Sequence, residues 1–119
     1  MHKNFLNVAV NENINLKKNL LHLFPEIKKA ALKIFTSIKK SKKILICGNG
    51  GSAADAQHLS AEYLVRLRPN VNRKPLPIIT LAQDVSTITA CSNDYSFENL
   101  FSRNLEALYK DGDLLITIS

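Results

Sequence analysis

The chain has 119 residues, which is room for one ordinary domain and not for two. Hydrophobic residues make up 45% and charged residues 22%, a balance that excludes a disordered or fibrous chain and fits a soluble globular one. The formal net charge is +6, and ten of the sixteen basic residues fall between Lys3 and Lys43. They punctuate apolar helical stripes without interleaved aromatics, so they read as solvated helix faces and no nucleic-acid partner is expected.

The N-terminus turns polar within a few residues, and nowhere do roughly eighteen apolar residues run together. Neither a secretory leader nor a membrane partner is therefore expected. Cys47 and Cys91 are too few and too far apart for a disulfide framework or a Cys-x-x-Cys metal site. Free buried thiols in a reducing cytoplasm are the expectation.

In chain order, Ile14, Leu16, Leu20, Leu21 and Leu23 predict a first helix over Val10 to Phe24, and Pro25 opens a second. Ile27, Ala30, Ala31, Ile34, Phe35 and Ile38 recur at three- and four-residue steps and give that second helix one apolar face. Residues 1–42 thus form an N-terminal helical segment. Lys43 to Cys47 is apolar after its lysine and is bounded by Gly48, the pattern of a strand buried on both faces. Ser52 is the expected cap of a helix running through Leu67 and closed by Pro69. Leu76 to Leu81 is a second strand, with Pro77 tolerable only near its start. Asp84 caps a short helix over Val85 to Cys91, a further helix spans Phe97 to Tyr109, and Asp111-Gly112-Asp113 turns the chain into a third strand, Leu114 to Ile118. Strand, helix, strand, helix, strand predicts an α/β fold with a parallel sheet and crossover helices. Ending one residue past a strand, with one sheet edge unprotected, reads as truncation after the third strand.

Three groups could carry chemistry. Gly48-Asn49-Gly50-Gly51-Ser52 lies between a strand and a helix, where glycines admit a ligand to the backbone and the helix start offers free N–H groups. It fits neither the dinucleotide fingerprint nor the Walker pattern, and a tight turn without a ligand is the plain alternative. His58 and Glu62, four residues apart, share one helix face. They could hold a metal, or Glu62 could act as a base partly desolvated by Ala54, Leu59 and Ala61; a simple surface pair is the alternative. Asn93-Asp94 should lie between two short helices near the ligand side of the second strand, or merely stop a helix. Arg66, one turn after Glu62, could meet a phosphate or be solvated.

Taken in order, Cys47-Gly-Asn-Gly-Gly-Ser52, Asp55-Ala-Gln-His-Leu-Ser-Ala-Glu62, Asp84-Val-Ser86, Asn93-Asp94, Phe101-Ser-Arg103 and Gly112 to Ser119 resemble the phosphoheptose isomerases of the sugar isomerase (SIS) domain superfamily. The resemblance implies a three-layer SIS sandwich, of which residues 43–119 are the N-terminal part. It implies conversion of sedoheptulose 7-phosphate to D-glycero-D-manno-heptose 7-phosphate through an enediol, supplying heptose for lipopolysaccharide. Asn49, Gly50, Gly51, Arg66, Asn93, Asp94 and Ser119 match substrate-contacting positions, Ser119 opening a phosphate loop. His58 and Glu62 match two ligands of one zinc ion per subunit, and Glu62 also matches the catalytic base. The remaining zinc ligands, a glutamine and a histidine, would lie beyond residue 119. A homotetramer with N-terminal helices between subunits is implied as well. An alternative is a non-catalytic SIS protein binding the bacterial replication initiator; those relatives lack the glutamate present here as Glu62. A sugar-phosphate-sensing domain of a regulator is a third reading, disfavoured because no helix-turn-helix is evident upstream.

Overall fold

The computed structural model describes residues 2–119. The chain divides into two compact units, one ending at Lys33 and the other spanning Ile34–Ser119. The first unit holds helix α1 (His2–Asn19), a 3-10 turn (Leu20–Leu23) and the start of helix α2 (Phe24–Lys39). Helix α1 begins well before the Val10 expected from sequence, and Pro25 sits in the first turn of α2, where its missing N–H costs nothing. From Asn4 to Lys33 no residue is buried, and Phe5, Leu6, Leu16 and Leu21 are among the exposed apolar side chains.

The second unit is built on a parallel three-stranded sheet of order β2-β1-β3, with β1 (Ile44–Gly48) central, β2 (Ile78–Thr80) on one side and β3 (Leu114–Ile118) on the other. Period-two alternation divides the side chains of β1 between two cores. Ile44 and Ile46 face Ala56, Leu59 and Tyr63 of helix α3 (Gly51–Leu64), together with Ile34 and Ile38 of α2. Leu45 and Cys47 face Phe101 and Leu105 of helix α5 (Leu100–Leu108). Helices therefore cover both faces, a three-layer α/β arrangement, and the apolar run of β1 reflects burial on both sides. Because Ile34 and Ile38 pack on the sheet, the compact boundary falls inside α2, earlier than the expected division at residue 42. Strand β3 is different: Leu115 and Thr117 are exposed, so only one of its faces is covered.

Local chemistry sets the ends of these elements. Helix α2 closes with Ser41 at φ 57°, Ser41 N–H donating to Ile38 O (3.0 Å) and Lys42 N–H to Ser37 O (3.0 Å). This is a Schellman closure on a residue other than glycine. Pro77 precedes β2 and contributes only its carbonyl, which accepts from Ile44 N–H at 2.9 Å. Asp84 caps helix α4 (Val85–Asp94) as expected, accepting from Thr87 N–H at 2.7 Å, and this bond holds its carboxyl below the usual range. Helix α4 runs past the expected Cys91, so Asn93 and Asp94 form its last turn and do not lie between helices. A 3-10 turn (Phe97–Asn99) then leads into α5.

At the entry end of the sheet, Asp113 joins β3 to β1. It accepts from Lys43 N–H (3.0 Å), Lys110 N–H (2.8 Å) and the Lys43 ammonium, with its side chain 2% exposed. Burial alone would push its carboxyl up. The hydrogen bonds from Lys43 and Lys110, with the ammonium charge, outweigh that and hold it below the ordinary value. A depressed carboxyl contributes stability that is full above its unfolded pKa, about 3.9, and is lost as pH falls through the lower folded value. Asp113→Ala is expected to cost about 2–3 kcal/mol at neutral pH in denaturant melts, by stranding two N–H groups and an ammonium. The difference from wild type should shrink below about pH 4.

Candidate functional site at the carboxyl ends of the strands

The three parallel strands deliver their carboxyl ends to one edge, where β1 runs into the glycine bend and β3 into Ser119. A Cβ on Gly48 would lie 2.6 Å from the carbonyl oxygen of Ser52, so the strand end touches the first turn of α3 main chain to main chain. Gly50, not Ser52, takes the N-cap, at φ 55°. No side chain caps this helix. Its first turn closes on backbone alone, with Ser52 N–H donating to Asn49 O at 3.0 Å and Ala53 N–H to Gly50 O at 3.1 Å. The Ser52 hydroxyl is thereby left at the rim of a crevice.

That crevice, of about 290 Å³, is lined by Asn49, Ser52, Phe101, Thr117 and Ser119 over a floor of Cys47 and Gly48. It brings an amide residue and three hydroxyl residues together with the apolar Phe101 and Ile118, and more of its lining is apolar than polar. Burial pushes the Cys47 thiol up, so it is a neutral part of the floor and not a thiolate nucleophile. Thr117 and Phe101 were not singled out as site residues from the sequence. The signal for Thr117 was its polarity within the otherwise apolar run of β3.

The other predicted residues stand elsewhere. Gly50 and Gly51 are exposed at the bend, with nothing within 4 Å of a Cβ at either position. His58 Nε2 and Glu62 Oε1 are 3.0 Å apart across one turn of α3. The side chains are 77% and 24% exposed, and the helix turns Ala56 and Ser60 to the sheet instead. His58 is thus exposed while the Glu62 side chain is largely covered, and neither lines the crevice. Ala54 and Ala61 are themselves exposed, so the apolar cover expected around Glu62 is missing on that side. Arg66 lies past the end of α3, which stops at Leu64 and not at Leu67, and donates to Pro69 O at 2.9 Å.

Asn93 Nδ2 donates to Asp94 Oδ1 at 2.8 Å. Asp94 lines a second cavity of about 320 Å³ between α4 and α5, together with Thr87, Cys91 and Arg103. The Arg103 guanidinium lies 3.8 Å from the centre of the Tyr95 ring. Among the described residues no cluster of three or more His, Cys, Asp or Glu side chains could hold a metal ion. The imidazole and carboxylate of His58 and Glu62 are donor types that zinc accepts, and supply two of the usual four.

The sequence profile of the SIS domain family matches residues 12–119. A phosphoheptose isomerase of Clostridium acetobutylicum is 41% identical over 98% of this chain and 60% of its own length. One from Shewanella denitrificans is 50% identical over 91% of this chain and 55% of its own. The solved structure of a phosphoheptose isomerase from Neisseria gonorrhoeae superposes with a TM-score of 0.87 at 35% identity, covering 100% of this chain and 61% of that one. The chain thus spans little more than half the length of the relatives it matches.

The backbone contact beneath the crevice is open to a direct test. Gly48→Ala should lose about 1–3 kcal/mol in denaturant melts, because the new methyl meets the Ser52 carbonyl. Gly51→Ala, in open space on the first turn of α3, should be neutral or stabilising by about 0.5–1 kcal/mol.

Proposed function

Since the chain belongs to the SIS domain family, we propose that it supplies the sugar-binding and proton-transferring part of an aldose–ketose isomerase acting on sedoheptulose 7-phosphate. The observation that carries this reading is the crevice at the strand ends, where Asn49, Ser52, Thr117 and Ser119 converge. These four side chains are of the kind that bonds sugar hydroxyls, and the chain's relatives include phosphoheptose isomerases at 41% and 50% identity.

The chemistry requires a base to take the proton from C1, beside the C2 carbonyl. As that proton leaves, O2 gains one to give the enediol; C2 is then protonated while O1 gives up its proton, leaving the C1 aldehyde of D-glycero-D-manno-heptose 7-phosphate. Glu62 is assigned that base, one helical turn from His58 and 3.0 Å from its Nε2. His58 and Glu62 would together hold zinc, which when bound polarises the oxygen on which charge develops. The remaining donors would come from outside the described residues. Asn49, Gly50 and Gly51 are assigned to the sugar hydroxyls, Ser119 to the phosphate, and Arg66, Asn93 and Asp94 to further substrate contacts.

Because neither His58 nor Glu62 lines the crevice, a single copy of these 119 residues does not unite the parts. The exposed apolar side chains of α1 and α2 support a homotetramer in which the N-terminal helices are covered by other subunits. Free thiols at Cys47 and Cys91 fit a cytoplasmic setting, and heptose supply for lipopolysaccharide is the assigned role.

The test is turnover of sedoheptulose 7-phosphate by the full-length protein carrying this sequence, with zinc content measured in parallel. Glu62→Gln should lower kcat by about 10²–10⁴-fold with the fold intact, and metal chelation should depress activity reversibly. The 119 residues alone should show no turnover. Wild-type activity in Glu62→Gln would remove the assignment of the base.

A further inference from the structure

Helix α3 carries both members of the His58–Glu62 pair, and its last turn contains no basic residue to offset the negative end of its dipole. Beyond Val65 N–H, which donates to Ala61 O at 2.9 Å, the helix supplies no donor for the carbonyls of Glu62 and Tyr63. A side chain from the following loop fills this deficit. Arg73, half-buried, donates from Nη2 to Glu62 O and from Nη1 to Tyr63 O at 2.8 Å. The same Nη1 reaches Lys74 O at 2.9 Å, and Leu76 N–H donates to Tyr63 O at 3.1 Å, so the loop is fastened to the helix end from two sides.

We infer that Arg73 is a positioning residue for Glu62: its guanidinium clamps the carbonyl of Glu62 itself and so fixes the turn from which the carboxylate reaches His58. The inference rests on the reading of Glu62 as the proton-transferring group. The planar fork is what the geometry uses, because two nitrogens serve two successive carbonyls while a positive charge sits at the helix C-terminus. A lysine would keep the charge and lose the second point of attachment. Arg73 has no part in the crevice lining, so its influence on the reaction passes through the backbone it holds.

Two measurements test this. The first is amide hydrogen exchange on the 119-residue chain, which needs no activity. Arg73→Ala should speed exchange in the last turn of α3, residues 62–65, and leave the amides of β1 unchanged; equal exchange in that turn would overturn the clamp.

The second is steady-state kinetics of the full-length protein carrying this sequence, with Ser60→Ala as the stability control. That variant loses the buried 2.6 Å hydroxyl contact to Thr80 on the opposite face of α3 and leaves the last turn alone. Arg73→Ala should lower kcat about 10- to 100-fold with KM little changed, and Arg73→Lys should fall between it and wild type. Ser60→Ala should lower the melting temperature while kcat stays near wild type. If Arg73→Ala loses no more kcat than Ser60→Ala, Arg73 is structural only and the inference fails. If Glu62→Gln retains full turnover, or wild type has none, the functional reading fails first and the positioning role falls with it, whatever the exchange data show.

Discussion

The structure depends on the burial of β1 between two partners in the sheet and two helical layers. Ile44, Leu45 and Ile46 are wholly removed from solvent, and the strand pairs in parallel along both edges. A strand enclosed on four sides has no freedom to slip, since a shift of one residue would exchange its two apolar sets between cores of different composition. The direction and height at which the chain leaves the sheet at Gly48 are therefore fixed. The glycine bend and the first turn of α3 inherit that placement through the direct contact of Gly48 with Ser52.

From this anchor the two parts of the candidate site separate. The crevice is made where strands end, by Asn49, Ser52, Thr117 and Ser119, and its geometry is a property of the sheet. The His58–Glu62 pair lies farther along α3, about two to three turns from the bend at 3.6 residues per turn. Its placement depends on both ends of that helix: the bend at one end and Arg73 at the other. The loop from Val65 to Pro77 is thereby fastened to the end of the helix that carries the pair. The relatives are longer than this chain.

Much of this architecture was legible in the residues because burial leaves a periodic trace. The unbroken apolar run of Ile44 to Cys47 announced a strand covered on both faces, and the three- and four-residue spacing of Ile27 to Ile38 announced a helix. Asp84 was recognisable as a cap because its side chain acts within its own turn. Ser52 looked equally suitable, yet Gly50 reaches a φ of 55° at no steric cost and starts the helix earlier. Asn93-Asp94 resembled a helix stop by composition, and α4 does end there, with both residues inside its last turn. The face of α3 that meets the sheet was only half legible, because the small Ala56 and Ser60 interrupt the apolar stripe that Leu59 and Tyr63 mark. Arg73 left no trace at all, since a side chain bonding to carbonyls some ten residues back has no local periodicity.

The Lys43–Asp113 pair has a further consequence through its location. It sits where β1 and β3 enter the sheet, whereas the crevice opens where they leave it, about 17 Å away for a five-residue strand. The pair is neutral as a whole, so its field decays steeply over that span, and solvent ions screen what remains beyond about 8–10 Å. The electrical character of the crevice is then set by nearby peptide dipoles and hydroxyls, with little influence from the fastening at the far end. Changing the charge of that fastening therefore alters the fold's strength at one pole of the strand and leaves the field at the other pole nearly as it was.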